Sequence, residues 1–358
     1  MSVDTTAPAA VIEAVNISKS FGPVPVLFSV SMDVRPGEVH ALIGENGAGK
    51  STLMKILSGF HDPTSGQIRL DGKQTDLPAN GGAEKLGVVL IHQELNLAEQ
   101  MTVEENVFLG REIKSNGFLD KAAMQATVRK YLDEIGLDIS PTDRISDLTI
   151  AQKQMVEIVK AVSRNARILI MDEPTAVLTE EETQVFFRQV EKLKESGVGI
   201  VFVSHKLNEV KEIADRVTIL RDGQWIDTRA SSDLTPDMMA QMMVGRELSD
   251  LYPPMHEADV DAELVLEVQN LRAPSVDNVS FSLRKGEILG FSGLIGSGRT
   301  AVFETICGLA PFEAGTIRLF GRDTGPMTVA QARDLGLAYL TKDRKEKGLL
   351  LDKKMRPN

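Results

Sequence analysis

The chain has 358 residues, 42% of them hydrophobic and 25% charged, with a formal net charge of −11. That length allows about two domains, and the balance is that of a globular protein rather than a disordered or fibrous one. The excess of acid argues against nucleic acid or an anionic lipid face as the main partner, since both reward a basic surface.

No apolar run approaches the ~20 residues that a membrane-spanning helix requires. The opening stretch, MSVDTTAPAAVIEA, lacks the basic start and apolar core of a secretory signal. The single Cys307 permits no internal disulfide, as expected in a reducing compartment, and its apolar helical surroundings suggest a plain core residue.

In chain order, the first feature is Phe21 in ISKSFG. It suits either a core position or a platform on which an adenine ring stacks, because stacking needs only a flat face. EVHALIG (38–44) is an apolar run of strand length. It feeds the turn GENGAGKST, which comprises Gly44, Glu45, Asn46, Gly47, Ala48, Gly49, Lys50, Ser51 and Thr52. A helix is expected from Ser51 to about Ser58, with Gly59 as its stop.

Strand, glycine-rich turn and helix in that order form the setting of a phosphate-binding P-loop. Backbone N–H groups and the helix N-terminus cradle the phosphates of a nucleotide. Lys50 supplies a compact positive charge to them, and Ser51 a hydroxyl to Mg²⁺.

Three further apolar runs, LGVVLIH (86–92), RILIMDE (167–173) and GVGIVFVSH (197–205), read as buried parallel strands. KAAMQATVRKYLDEIG (121–136) and QKQMVEIVKAV (152–162) carry helical periodicity between them. In the latter, Met155, Ile158, Val159 and Val162 share one face.

The ends of these runs carry the chemistry. Asp172 falls at the C-terminal end of a strand, where open α/β sheets bind ligands, and is assigned to Mg²⁺. Glu173 is the candidate to orient or deprotonate an attacking water. His205 is either a structural residue or a sensor of the γ-phosphate. Gln93 recurs at a third strand end, within reach of Mg²⁺ or the attacking water.

The chain also contains itself twice. VSMDVRPGEVHALIGENGAGKST from Val30 aligns with VSFSLRKGEILGFSGLIGSGRTA from Val279, and GQIRLDG (66–72) with GTIRLFG (315–321), every pair 249 positions apart. The register carries Leu86-Gly87 onto Leu335-Gly336 and Gln93 onto Lys342. The second phosphate loop, GLIGSGRT, keeps Gly293, Gly296, Gly298 and Thr300 but has Arg299 in place of lysine.

The expected organisation is a first domain over residues 1–247, a linker over 248–263 marked by Pro253-Pro254 and an acidic cluster, and the start of a second domain over 264–358. Asn358 corresponds to Leu109 of the first copy. That predicts a truncated form of a longer protein, roughly 500 residues long if both copies match.

Together these residues resemble the nucleotide-binding subunit of an ABC transporter, a P-loop α/β fold with a RecA-like core sheet and a helical subdomain, here duplicated with the second copy incomplete. In that family a signature, usually Leu-Ser-Gly-Gly-Gln, precedes the Asp-Glu strand. DLTIAQKQMVEIVKA (147–161) stands at that distance, with Leu148, Thr149, Ile150, Ala151 and Gln152 as its signature.

QMVEIVKA, IHQELNLAEQMTVEENVFLGRE, EPTAVLT, MMVGRELSDLYP and RKGEILGFSGLIGSGRT are similar to a narrower group, the duplicated ATPases of bacterial monosaccharide importers. The resemblance covers nearly the whole chain. Lys342 stands where the second half usually has an acid.

The resemblance implies that two ATPase halves close head to tail, each nucleotide lying between one half's P-loop and the other's signature. Arg299 and LTIAQ then share one site, which binds nucleotide but hydrolyses it poorly: Arg is a planar fork where Lys is a point charge, and Ala151 adds a Cβ where family members have glycine. The other site keeps its full set.

It further implies ATP and Mg²⁺ as ligands, a separate membrane permease driven through about residues 94–130, and indirectly a periplasmic solute-binding protein. The location implied is the cytoplasmic face of the inner membrane, held peripherally through the permease, with no nucleic acid involved. The alternative is a soluble ABC-type ATPase acting on ribosomes or nucleic acid, but such proteins usually keep lysine in both loops and a long charged linker.

Overall fold

The computed structural model describes residues 9–77, 82–91, 96–245, 261–294, 296–341 and 348. The chain divides into two compact units, Met1–Tyr252 and Pro253–Asn358. Of the expected linker only residues 261–263 are described, and Gln93 and Lys342 both lie outside the described residues.

The first unit opens with β1 (Ile12–Phe21), β2 (Val24–Val34), β3 (Val39–Ile43), α1 (Lys50–Leu57), β4 (Ser65–Leu70), β5 (Lys73–Gln74), α2 (Gly82–Lys85) and β6 (Val88–Ile91). A largely helical stretch follows: α3 (Val103–Phe108), the short pair β7 (Lys114–Ser115) and β8 (Phe118–Leu119), α4 (Lys121–Ile135) and α5 (Ile150–Val162). The unit closes with β9 (Ile168–Asp172), α6 (Glu180–Glu195), β10 (Gly199–Val203), α7 (Leu207–Ile213), β11 (Arg216–Arg221), β12 (Gln224–Ala230) and α8 (Pro236–Val244).

Ten strands join in the order β5-β4-β1-β2-β12-β11-β3-β10-β9-β6. The β5-β4-β1-β2 portion is antiparallel. From β11 to β6 neighbouring strands run parallel, so β3, β10, β9 and β6 all end at one edge.

The apolar runs are continuous because both sheet faces are covered. Alternate residues of each strand enter different cores, as the period of two dictates. Val39, Ala41, Ile43, Ile200, Phe202, Leu169 and Met171 pack under the larger helices. Leu42, Val201, Val203, Ile168 and Ile170 pack with α1 and the antiparallel strands. Each of the Val, Leu, Ile, Phe and Met side chains among them contributes roughly 1.5–3 kcal/mol on full burial.

The sequence-predicted helices are present with boundary shifts of a residue or two. Met155, Ile158 and Val159 are buried and Val162 packs beside them. Helices α3, α5 and α6 begin with a threonine whose hydroxyl accepts from the third helical N–H while the third side chain reaches back, satisfying otherwise orphaned donors.

The second unit contains β13 (Leu264–Ala273), β14 (Val276–Arg284), α9 (Arg299–Ile306), β15 (Ala314–Leu319), β16 (Arg322–Asp323) and α10 (Val329–Asp334). Its four strands form one antiparallel sheet, β14-β13-β15-β16. Residues 288–292, the repeat of β3, form no strand, and Ile288 is 97% exposed. β3 is held between β10 and β11. Cys307 caps the end of α9, half-buried, and burial pushes its thiol pKa up.

Candidate functional site

The first phosphate loop joins the buried end of β3 to α1. Gly49 is the N-cap of α1 with φ 96°, a conformation open to glycine at little cost. A Cβ at Gly49 would stand 2.5 Å from Leu27 Cδ2 and 3.4 Å from the Val26 carbonyl oxygen, so the loop rests directly on β2. Gly44, Ala48 and Gly49 are buried, while Glu45, Asn46, Gly47 and Ser51 face solvent and Thr52 is intermediate.

Lys50 is only 8% exposed. Its Nζ donates to the carbonyls of Gly44 (2.7 Å) and Glu45 (3.0 Å), folding the ammonium back over the loop. Burial pushes its pKa down, while the charges of Glu173 and Asp172 pull it up. The ammonium therefore sits in the field of both carboxylates.

Asp172 ends β9 beside Val203, the last residue of β10. Glu173 follows with φ 47°, the left-handed region that bulky residues rarely enter, and its N–H donates to the Val203 carbonyl (2.9 Å). This bend presents the carboxylate to the next strand end. His205 Nδ1 lies 3.0 Å from Glu173 Oε1, with the imidazole 57% and the carboxylate 21% exposed.

A clamp that sequence reasoning missed holds this corner. Lys206 Nζ donates to the Thr175 carbonyl (2.9 Å) and to Glu209 Oε1 (2.8 Å), and Thr175 Oγ1 donates to Glu209 Oε2. The chain after Glu173 is thereby tied to α7, which follows His205. The spacing of Lys206 and Glu209 on one helical turn was the available signal.

Phe21 is 45% exposed at the end of β1. It pairs with Val24, two residues before the Val26 that touches the loop at Gly49. Lys19 Nζ lies 5.1 Å over its ring, and His61 meets it edge-on at 5.3 Å. Neither support was read from the sequence.

The structure thus brings Gly44–Thr52, Asp172, Glu173 and His205 to one sheet edge, with Phe21 beside it. Leu148–Gln152 stand elsewhere, at the start of α5, which packs on α3, α4, α6 and β6. Thr149 is the N-cap, Ile150 is exposed, and the Gln152 side chain accepts from the Thr149 N–H at 2.9 Å, so this amide serves the helix end.

In the second unit Gly293, Gly296, Arg299 and Thr300 are exposed, and Gly298 caps α9 with φ 84°. Its geometry repeats the first N-cap. No helix among the described residues is long and apolar enough to cross a membrane.

The profile of the ABC transporter family matches residues 27–176 and again 276–352. The chain is 46% identical over 337 residues to a putative ribose/galactose/methyl galactoside import ATP-binding protein of Agrobacterium fabrum, covering 94% of this chain and 66% of that protein. It is 44% identical over 348 residues to the ribose import ATP-binding protein RbsA of Lactococcus lactis subsp. cremoris, covering 97% and 70%. The chain therefore spans about two thirds of the length of these relatives.

Among solved structures, an ATP-binding cassette of an ABC transporter shares the fold at 26% identity and TM-score 0.60, over 66% of this chain and 98% of that one. A nucleotide-free cassette at 24% identity and TM-score 0.58, over 69% and 100%, shows the fold alone. With the profile matched over both copies and such relatives along nearly its whole length, the chain belongs to the ABC transporter family and carries its ATP-binding cassette.

Proposed function

We propose that this protein binds and hydrolyses ATP at the Lys50 loop and thereby energises import of a monosaccharide through a separate membrane permease. The observation that carries the chemistry is the meeting of Lys50, Asp172 and the Glu173–His205 pair at one sheet edge. The printed names of the relatives, ribose and galactose import proteins, support the monosaccharide class.

Lys50 is already desolvated and held by two loop carbonyls. An incoming phosphate competes for an ammonium that has lost most of its water, which strengthens each contact in this low-dielectric setting. Glu173 orients the attacking water and takes up its proton. His205, 3.0 Å away, fixes the carboxylate's direction and offers its other ring nitrogen towards the γ-phosphate.

Mg²⁺ fits the donor set. Among the described residues no cluster of three or more His, Cys, Asp or Glu could cage a metal. Mg²⁺ needs no such cage, since it binds through one or two protein oxygens together with nucleotide phosphates and water. Ser51 and Asp172 provide those oxygens, with Gln93 assigned as a further ligand or water-positioning group. When bound, the ion neutralises phosphate charge.

The permease is an obligatory partner and a periplasmic solute-binding protein an indirect one; the chain attaches peripherally to the cytoplasmic side of the inner membrane. Coupling is assigned to about residues 94–130. Beside Asn96 a groove of about 310 Å³, bounded by Gly59, Phe60, Glu157 and Arg164, supplies a recess for the partner.

The test is Glu173→Gln. ATP binding measured by titration should be retained, while steady-state phosphate release falls by roughly 10²-fold or more. Unchanged turnover removes Glu173 from this role.

A further inference from the structure

We propose that the second cradle, Gly293–Thr300, grips the phosphate chain of its ligand without reading the base, so that nucleotides of any base and inorganic tripolyphosphate bind it alike. The inference rests on the reading of this loop as a phosphate cradle, supported by its repeat of the first loop and by the family profile across 276–352. It does not depend on the transported solute.

Strand register reveals a difference that motif matching passes over. Ile12 pairs with Val34 and with Leu70. Leu266 pairs with Leu283 and with Leu319, the repeats of those two partners at a spacing of 249. Leu266 is thus the repeat of Ile12, at a spacing of 254. Ile17 opposite Val30 and Leu271 opposite Val279 give the same answer, as do Lys19 opposite Leu27 and Ala273 opposite Val276. The positive-φ residues Asn16 (51°) and Asn270 (53°) occupy the same place in their strands.

The five missing residues all belong to one hairpin tip. Between Lys19 and Leu27 the first unit has seven residues, Ser20–Val26, including Phe21. Between Ala273 and Val276 the second has only Pro274 and Ser275. Phe21 therefore has no counterpart.

Among the described residues the shortened tip leaves no free platform in its place. A Cβ on Gly298 would collide with the Ser275 carbonyl oxygen, so the two-residue turn is itself packed onto the cradle. Arg272, the large neighbour on β13, lies 3.5 Å from Asp277 across the hairpin. Phe281 and Phe303 each meet Phe291 edge-on at 4.8 Å, and the three repeat Met32, Leu42 and Met54, which belong to the core beside α1 in the first unit. Each thus holds the place of a core residue of the first unit.

What remains is phosphate chemistry. The loop offers backbone N–H groups at the start of α9, and Arg299 offers an exposed planar fork suited to two phosphate oxygens at once. Ring stacking on a base contributes enough for roughly tenfold in affinity or more, and the second cradle forgoes it.

The experiment measures binding of ATP, GTP and inorganic tripolyphosphate to the full chain with Mg²⁺, in Lys50→Ala and Arg299→Ala variants. In Lys50→Ala the three ligands should bind within about threefold of one another. In Arg299→Ala, ATP should exceed tripolyphosphate by about tenfold or more, and Phe21→Ala added to it should erase most of that preference. A tenfold ATP preference in Lys50→Ala overturns the inference alone. Loss of all tripolyphosphate binding there overturns the phosphate-cradle reading too.

Should Lys50→Ala fail to fold, a graft serves in the otherwise unaltered chain. Replacing Pro274–Ser275 by the sequence of Ser20–Val26 should raise azido-ATP crosslinking to peptides within residues 276–320 by about tenfold. No rise overturns the inference.

Discussion

Gly49 shows how much of the phosphate loop depends on the absence of a few atoms. Its φ of 96° and a would-be Cβ 2.5 Å from Leu27 Cδ2 mean that alanine there strains the backbone and drives into β2 at once. Gly49→Ala should cost about 1–3 kcal/mol, read as a lower urea midpoint with unchanged slope, and should weaken ATP binding in the folded fraction. Full stability in that variant would show that β2 yields. At the same scale the letters GENGAGKST announced a glycine-rich turn between a strand and a helix, whereas the folding of Lys50 onto the Gly44 and Glu45 carbonyls was not legible. A side chain's direction depends on what surrounds it.

At the scale of elements, Arg216 of β11 ties the two parts of the large sheet together. Its guanidinium donates to both Asp33 oxygens of β2 (2.8 and 2.9 Å) and to Glu38 Oε1 (3.2 Å). Burial alone would raise the Asp33 pKa, but the hydrogen bonds and charge of Arg216, with smaller help from His40 and Arg35, bring it below the ordinary 3.8. A depressed folded pKa adds stability that is complete at neutral pH and is lost as the pH falls below 3.8. Asp33→Asn should therefore cost about 1 kcal/mol at pH 7, a figure discounted for the solvent-open third of this carboxyl, and the difference from the parent should shrink on acidification. A penalty independent of pH between 7 and 3 would assign the loss to packing instead.

These elements differed in how plainly the sequence announced them. The apolar runs became β3, β6, β9 and β10 because each is buried on both faces, and an uninterrupted hydrophobic stretch records that directly. β1 and β2 alternate and carry register shifts, so their letters do not align themselves. The five-residue difference between the hairpin tips emerged only from which residues face each other.

For the whole molecule, β3 (VHALI) and its repeat at residues 288–292 (ILGFS) occupy the same place in the duplication, each between a Gly-Glu pair and a glycine-rich turn, but have different surroundings. β3 is paired on both sides and every residue is buried. Its repeat carries no strand pairing, and Ile288 is 97% exposed. Hydrogen exchange on the full chain should show amides 39–43 protected by orders of magnitude more than 288–292. Equal protection would mean that another segment pairs with 288–292 in solution.

The sequence by itself determined the duplication, the two glycine-rich turns and the strand-end acids, since each is written in contiguous residues whose spacing the backbone enforces locally. Only the tertiary structure decided the Glu173–His205 contact, the Thr175–Glu209–Lys206 clamp, the supports of Phe21 and the lack of its counterpart in the second unit. Each of those joins residues distant in the chain or compares strands by register, and the chain closes such contacts only when the cores on both faces of the sheet have packed.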